Sequence, residues 1–301
     1  MWLVKEFSAQ LQDPTFDLPE DHKEGARRVA LAEWIVHPEN TLTWRSIVNR
    51  VWHYHFGRGI VETPNDFGQV GGTPSHPELL DWLAVEFRDG GGSLKELHRL
   101  ILNSAVYKQS SAHNPSFVAK DNSNRFLWRH NRRRLEAEAL RDTVLLVSGK
   151  LDRKMGGPSF KDFVIEQPQH SPHYQYHKAN HDDPSTHRRS VYRFLVRSQP
   201  QPFMDTLDCA DPSQLVDKRG ETTTALQALA LLNNAFMVRM AEHFATNIMR
   251  EDDPVSAAVE MTLSRKATKD EHSMLVGFAK KHGYAAMCRL LFNFSEFSFV
   301  D

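Results

Sequence analysis

A chain of 301 residues, 40% hydrophobic and 25% charged, has the composition of a globular protein able to bury one large core or two smaller ones. Its 37 Lys and Arg against 38 Asp and Glu leave a formal charge of -1, which argues against nucleic acid as the main partner, since phosphate binding draws on clustered cations. There is no apolar run long enough for a membrane-spanning helix, and the two distant cysteines, Cys209 and Cys288, form no disulfide framework, C-x-x-C redox pair or haem-attaching C-x-x-C-H.

Residues 1–25 read as a short amphipathic segment followed by a Pro- and acid-rich connector, with Lys5 and Glu6 standing where a signal peptide needs its apolar stretch. From Ala26 the chain reads as a single domain to residue 301. A first helix runs from Arg27 to before Pro38, with Val29, Ala30, Trp34 and Ile35 near one face. A second, from about Thr43 to Phe56, sets Trp44, Ile47, Val48, Val51 and His55 on one side. Ser46, Asn49, Arg50 and His53 fall on the other, and Gly57 and Gly59 stop it. After a loop punctuated by Pro64, Gly68, Gly71 and Gly72, Ser75 with Glu78 and Ser93 with Glu96 read as capping boxes of two further helices.

Helical patterning returns from Arg133 to Gly149. Residues 151–190 lose periodicity and are broken by proline, and Ser190 to Ser198 alternates as a strand. Thr224 and Gln227 then cap a long helical run, ALQALALLNNAFMVRMAEHFATNIM. Shorter helices close the chain, the first of them capped by Thr268 and Glu271 and ended by Gly283. The expected fold is mainly α: a multi-helix orthogonal bundle with a small β element and a long irregular His-rich loop. Within it, 26–150 is helical, 151–200 irregular or β, and 201–301 helical.

The glycine motifs carry no nucleotide signature: Gly57-Arg58-Gly59 lacks the third glycine, and there is no G-K-[ST], H-E-x-x-H or G-x-S-x-G. His53 and His55, two apart on a helix, point roughly 200° away from each other and cannot grip one ion. His53 shares a face with Asn49 and Arg50, either toward a ligand or toward solvent, while His55 reads as a hydrogen-bonded core histidine. Arg132, Arg133 and Arg134 fall at an expected helix start, where cations oppose the macrodipole. They would fork around an anion, or Glu138 would pair with Arg134 and Arg141 at helical spacing. His170, His173, His177, His181 and His187, with Asp182 and Asp183, carry donors that suit zinc, iron or copper. Pro172 and Pro184 interrupt the helix that would align them, so the stretch is either a metal site shaped by the fold or a hydrated loop.

The blocks NRVWHYHFGRGIVETPNDFG, PSHPELLDWLAVEF, SLKELHRLILNSAVYKQSS, NRFLWRHNRRRLEAEALRD, GGPS, HRRSVYRFLVRS and LQALALLNNAFM, in this order, resemble the planctomycete-type domain of unknown function 1553. That domain forms the C-terminal part of large planctomycetal cytochrome-c-like proteins, and the resemblance runs from about Ala26 to Asp301. It implies an exported, extracytoplasmic protein whose upstream domain holds a c-type haem, serving electron transfer or breakdown of polysaccharides. The chain holds no haem motif, so it binds no cofactor covalently and any haem belongs to that upstream domain. Without an export signal it reads as a piece of a longer protein, and as cytoplasmic if complete as written.

Two functions follow as expectations. In the first, the chain is a binding or scaffolding module that supports a haem-bearing or polysaccharide-processing partner domain, with carbohydrate among its ligands. Asn49, Arg50, His53, His76, Arg132, Arg133 and Arg134 would then face an anion or a sugar. In the second it is a metal-dependent hydrolase or oxidoreductase, with a transition metal held by His173, His177, His181 and Asp182, and Asp182 or Asp66 as base. No other catalytic residue is assigned.

Overall fold

The computed structural model describes residues 18, 20–167 and 171–300; the expected connector over residues 1–17, and His170, lie outside them. The chain divides into two compact units, one ending at Arg133 and the other running from Arg134 to Val300. The structure is mainly α, with thirteen α-helices and two-stranded β pairs among the described residues.

The first unit holds α1 (Glu24–Ile35), α2 (Thr41–Phe56), α3 (Pro77–Asp89), α4 (Leu94–Asn103) and the single turn α5 (Pro115–Val118). Asn40 caps α2 by accepting the Thr43 N–H, and Gly57 ends it at φ 77°, a left-handed conformation that a residue with a Cβ rarely adopts. The core joins Val48, Trp52 and Phe56 of α2 to Leu80, Leu83 and Phe87 of α3 and to Leu97 and Ile101 of α4. Ser93 accepts the Glu96 N–H at the start of α4, as its spacing predicts. The Ser75–Glu78 box does not form. Pro77 takes the first helical position, so the cap falls on His76, and the Ser75 hydroxyl turns to the Ile60 carbonyl and the His76 imidazole.

The two-residue strand β1 (Arg133–Arg134) stands at the boundary, so the arginine run is extended, and in the second unit α6 starts only at Ala137 and ends at Val147. Then come the strands β2 (Val164–Glu166) and β3 (His173–Gln175), and the helices α7 (Pro202–Thr206), α8 (Ala225–Asn233), α9 (Ala235–Ile248), α10 (Pro254–Leu263), α11 (Lys269–His282), α12 (Tyr284–Phe292) and α13 (Ser295–Ser298), with a last strand β4 (Phe299–Val300). The core forms where α12 lies along α9, with the Phe244 and Phe292 rings 5.7 Å apart and only 15° from parallel. Leu140, Val144 and Leu145 of α6 close the same cluster. Each such side chain, fully buried, contributes about 1.5 to 3 kcal/mol.

The long run after Thr224 is broken at Asn234, whose ψ of 138° leaves the helix while its side chain accepts the Phe236 N–H and starts α9. Ser190 to Ser198 forms no strand. Its buried members are Ser190, Arg193 and Val196, a spacing of three that suits the single 3-10 turn at Ser190–Tyr192 rather than a pleat. The β element lies earlier, in the antiparallel hairpin that pairs Val164 with Gln175, Ile165 with Tyr174 and Glu166 with His173. The capping boxes at Thr224–Gln227 and Thr268–Glu271 are both complete. Before the second of them stands α10, announced by Asp253 as cap and Pro254 as first residue.

Candidate functional site

The expected ligand-facing residues of the first unit disperse. Asn49 is fully buried in α2, where its amide donates to the Val61 carbonyl at 2.9 Å and accepts the Val61 N–H at 2.8 Å. It pins the turn after Gly57 to the helix that precedes it. Arg50 donates to the Asn65 side chain, and His53 sets its ring edge-on to Tyr54. His76 lies at the start of α3, edge-on to Phe126 and hydrogen-bonded to Ser75, and burial with the nearby Arg125 holds its imidazole below the usual histidine range. Asp66 turns its carboxylate to the Gly68 N–H in a local turn.

His55 faces a partner that spacing does not reveal. Its Nε2 lies 2.8 Å from Nδ1 of His98 in α4, with the Tyr107 ring edge-on beside it. Burial, then His98 and Arg133, lower its pKa to about 4.

The arginine run also separates. Arg132 is exposed, whereas Arg133 donates to the Tyr54 carbonyl. Arg134 reaches the carbonyls of Thr222 and Leu207, the Gln227 side chain and the Asp208 carboxylate, 2.7 Å away. Glu138 pairs with neither helical neighbour; it holds Arg219 by two bonds of 2.6 and 3.0 Å. In the histidine loop, His173 is on β3 and exposed, His177 is exposed, and His181 sets its ring against Phe236. Asp182 accepts two bonds from Arg239 and one from His243 on α9, which hold its carboxyl down to about 2. Among the described residues, no group of three or more His, Cys, Asp and Glu gathers closely enough to hold a metal ion.

What the structure gathers instead lies in the irregular segment between α6 and α7. Arg141 leaves α6 into the interior, donating to the carbonyls of Thr186 and Arg188 and to the Ser190 hydroxyl, between the rings of Phe160 and Phe236. Burial draws its pKa down to about 10. Its neighbour Asp142 accepts both the N–H and the hydroxyl of Ser190, so two adjacent residues of α6 anchor the whole Thr186–Ser190 stretch. Behind it Asp162 and Arg193 lie 3.9 Å apart with side chains 12% and 4% exposed. Burial pushes the Asp162 carboxyl upward against the pull of both arginines. Among the described residues, neither Asp162 Oδ1 nor Arg193 Nε finds a hydrogen-bond partner, which is uncommon for buried polar atoms.

A second layer joins the GGPS and HRRSVY blocks. Arg188, 9% exposed, donates to the carbonyls of Pro158, Gly156 and Lys154, and its guanidinium stacks 4.1 Å from the Tyr192 ring centre. The Tyr192 hydroxyl accepts the Gly156 N–H at 2.8 Å, and backbone bonds tie Phe160 to Tyr192 and Phe194. Gly156 and Gly157 hold φ of 72° and 83°, the curvature that wraps the three carbonyls around one guanidinium, and the space over both is open. Arg189 lies beside them, half-buried, with its guanidinium 5.7 Å from the Tyr192 ring centre. No carboxylate lies within ion-pair distance of Arg188 or Arg189 among the described residues. The arginines and glycines were visible as motifs; that they form one clasp was not, because about thirty residues of aperiodic chain intervene.

A family model described as PSD1, protein of unknown function (DUF1553), matches residues 27–279. No curated protein matches the chain, and no solved structure does.

Proposed function

Since the chain belongs to the DUF1553 family of proteins of unknown function, we propose that it is a binding and scaffolding module and that its ligand face is the clasp of residues 154–160 and 188–194. One observation supports this above the others: an irregular surface segment is held by buried arginines rather than by a strand ladder. Rigid loops on a helical scaffold are where binding residues are commonly displayed. The larger protein that such a module serves is one with an upstream haem-bearing or polysaccharide-processing domain, placed outside the cytoplasm. A soluble polysaccharide is the ligand class to test first.

The test is binding of the full chain to a panel of neutral and acidic soluble polysaccharides by calorimetry. Gly157→Val serves as the disrupting variant, because φ of 83° excludes a β-branched residue. Binding that disappears in Gly157→Val, with helical circular dichroism retained, is the expected result. Binding unchanged by that substitution would move the ligand face elsewhere, and a panel without any binder would reject the polysaccharide.

A further inference from the structure

Resting on the clasp as ligand face, we infer that Arg189, with Tyr192 and the Gly156–Gly157 edge, is the seat of an oxyanion carried by an acidic ligand: a carboxylate, a sulfate or a phosphate.

Four observations lead there. The Arg189 guanidinium donates to the Met155 thioether at 2.9 Å, and sulfur is a poor acceptor for a group shaped to receive two oxygens. Its Nε is shielded from solvent yet has no partner among the described residues, and the same holds for Nε of the nine-tenths buried Arg188 behind it. Two guanidiniums thus flank the Tyr192 ring, their central carbons 4.1 and 5.7 Å from its centroid, without a neutralising carboxylate among the described residues. Adjacent Arg153 and Lys154 are exposed and add positive charge, while Asp152, the acid beside them, turns Oδ1 to the Lys154 N–H.

The clasp also makes the site open and stiff. A methyl placed on Gly156 or Gly157 would meet nothing within 4 Å, so an oxyanion has room to approach along that edge. Arg188 cannot turn to meet it through its Nη atoms, which are engaged with three carbonyls. Arg189 can, since the thioether it would give up is a weak acceptor, while its hydrogen bond to the Tyr192 hydroxyl keeps the guanidinium beside the ring. Met155, 73% exposed, would swing away. The site therefore reads one oxyanion by a fork, unlike a nucleic-acid track that needs many spaced cations.

The experiment titrates the full chain with polygalacturonate, dextran sulfate and polyphosphate, and with neutral dextran as reference, at two salt concentrations. One acidic polymer should bind in a salt-sensitive way and identify the source of the oxyanion. Arg189→Ala should weaken it by roughly tenfold or more, as loss of a charge-assisted bond does. Arg189→Lys should recover part of the loss, keeping charge without the fork. Met155→Glu should supply an internal carboxylate and abolish binding without unfolding the chain, which guards against a trivial loss in Arg189→Ala. Acidic polymer bound equally by wild type, Arg189→Ala and Met155→Glu overturns the inference. Neutral dextran bound through a Gly157→Val-sensitive surface, with no acidic preference, also overturns it while leaving the binding module intact. No binding by any polymer counts against both readings.

Discussion

Asn49 illustrates how a polar residue on a helix divides between ligand and scaffold. Its i, i+4 neighbour His53 and the adjacent Arg50 suggest a polar face, yet the amide is buried because the chain doubles back and presents Val61 to it. Periodicity along one helix cannot report a backbone group arriving from twelve residues downstream. Asn49→Ala should cost about 2 to 4 kcal/mol, because it strands a buried N–H and a buried C=O together, and urea denaturation measures it. A loss of binding without a loss of stability would return Asn49 to the ligand face. Gly59 is bound to the same feature: a Cβ there would stand 2.4 Å from the Val61 carbonyl oxygen and 2.8 Å from the Asn49 amide.

His55 carries a pH dependence of definite sign. Its pKa falls from 6.5 to about 4 on folding, so between those values the unfolded chain binds more protons than the folded one. Its contribution to stability is complete above pH 6.5 and is lost as pH falls toward about 4. His55→Phe should flatten that part of the stability–pH profile, measured as urea midpoints across the window; an unchanged slope would place the dependence on other groups.

Helices with a complete signal were legible, and those without one were not. Thr268 and Glu271 close their box in both directions, and the helix they start ends at Gly283 as the sequence implies. Thr268→Ala should cost about 1 kcal/mol, read as a downward shift in the thermal midpoint. The Ser75–Glu78 pattern failed because Pro77 is the better first residue, and the arginine run failed as a helix start because Arg133 and Arg134 are drawn into extended backbone. Asn234 broke a run that apolar periodicity joined, and only the Asn233–Asn234 pair hinted at it. The candidate site was least legible. Charge, glycine and tyrosine were all in view, but Arg188 finds carbonyls thirty or more residues away, and local spacing carries no record of that. Helix α1 has no buried residue, so its amides should exchange with solvent far faster than those of α12, whose Met287, Cys288, Leu291 and Phe292 are fully enclosed. Equal protection in the two helices would show that α1 is covered.

At the scale of the molecule, two separate clusters of apolar side chains divide the work of stability: Val48, Trp52, Leu83 and Ile101 in one unit, Phe244, Met287 and Phe292 in the other. Phe244→Ala should remove about 3 to 5 kcal/mol from the second unit, where the ring stacks on Phe292. The chain carries an optical consequence of this division. All six tryptophans, from Trp2 to Trp128, precede Arg134, whereas Tyr174, Tyr176, Tyr192 and Tyr284 belong to the second unit. Intrinsic tryptophan emission therefore follows the first unit, and far-ultraviolet dichroism is the signal in which the earlier melting of Phe244→Ala should be read.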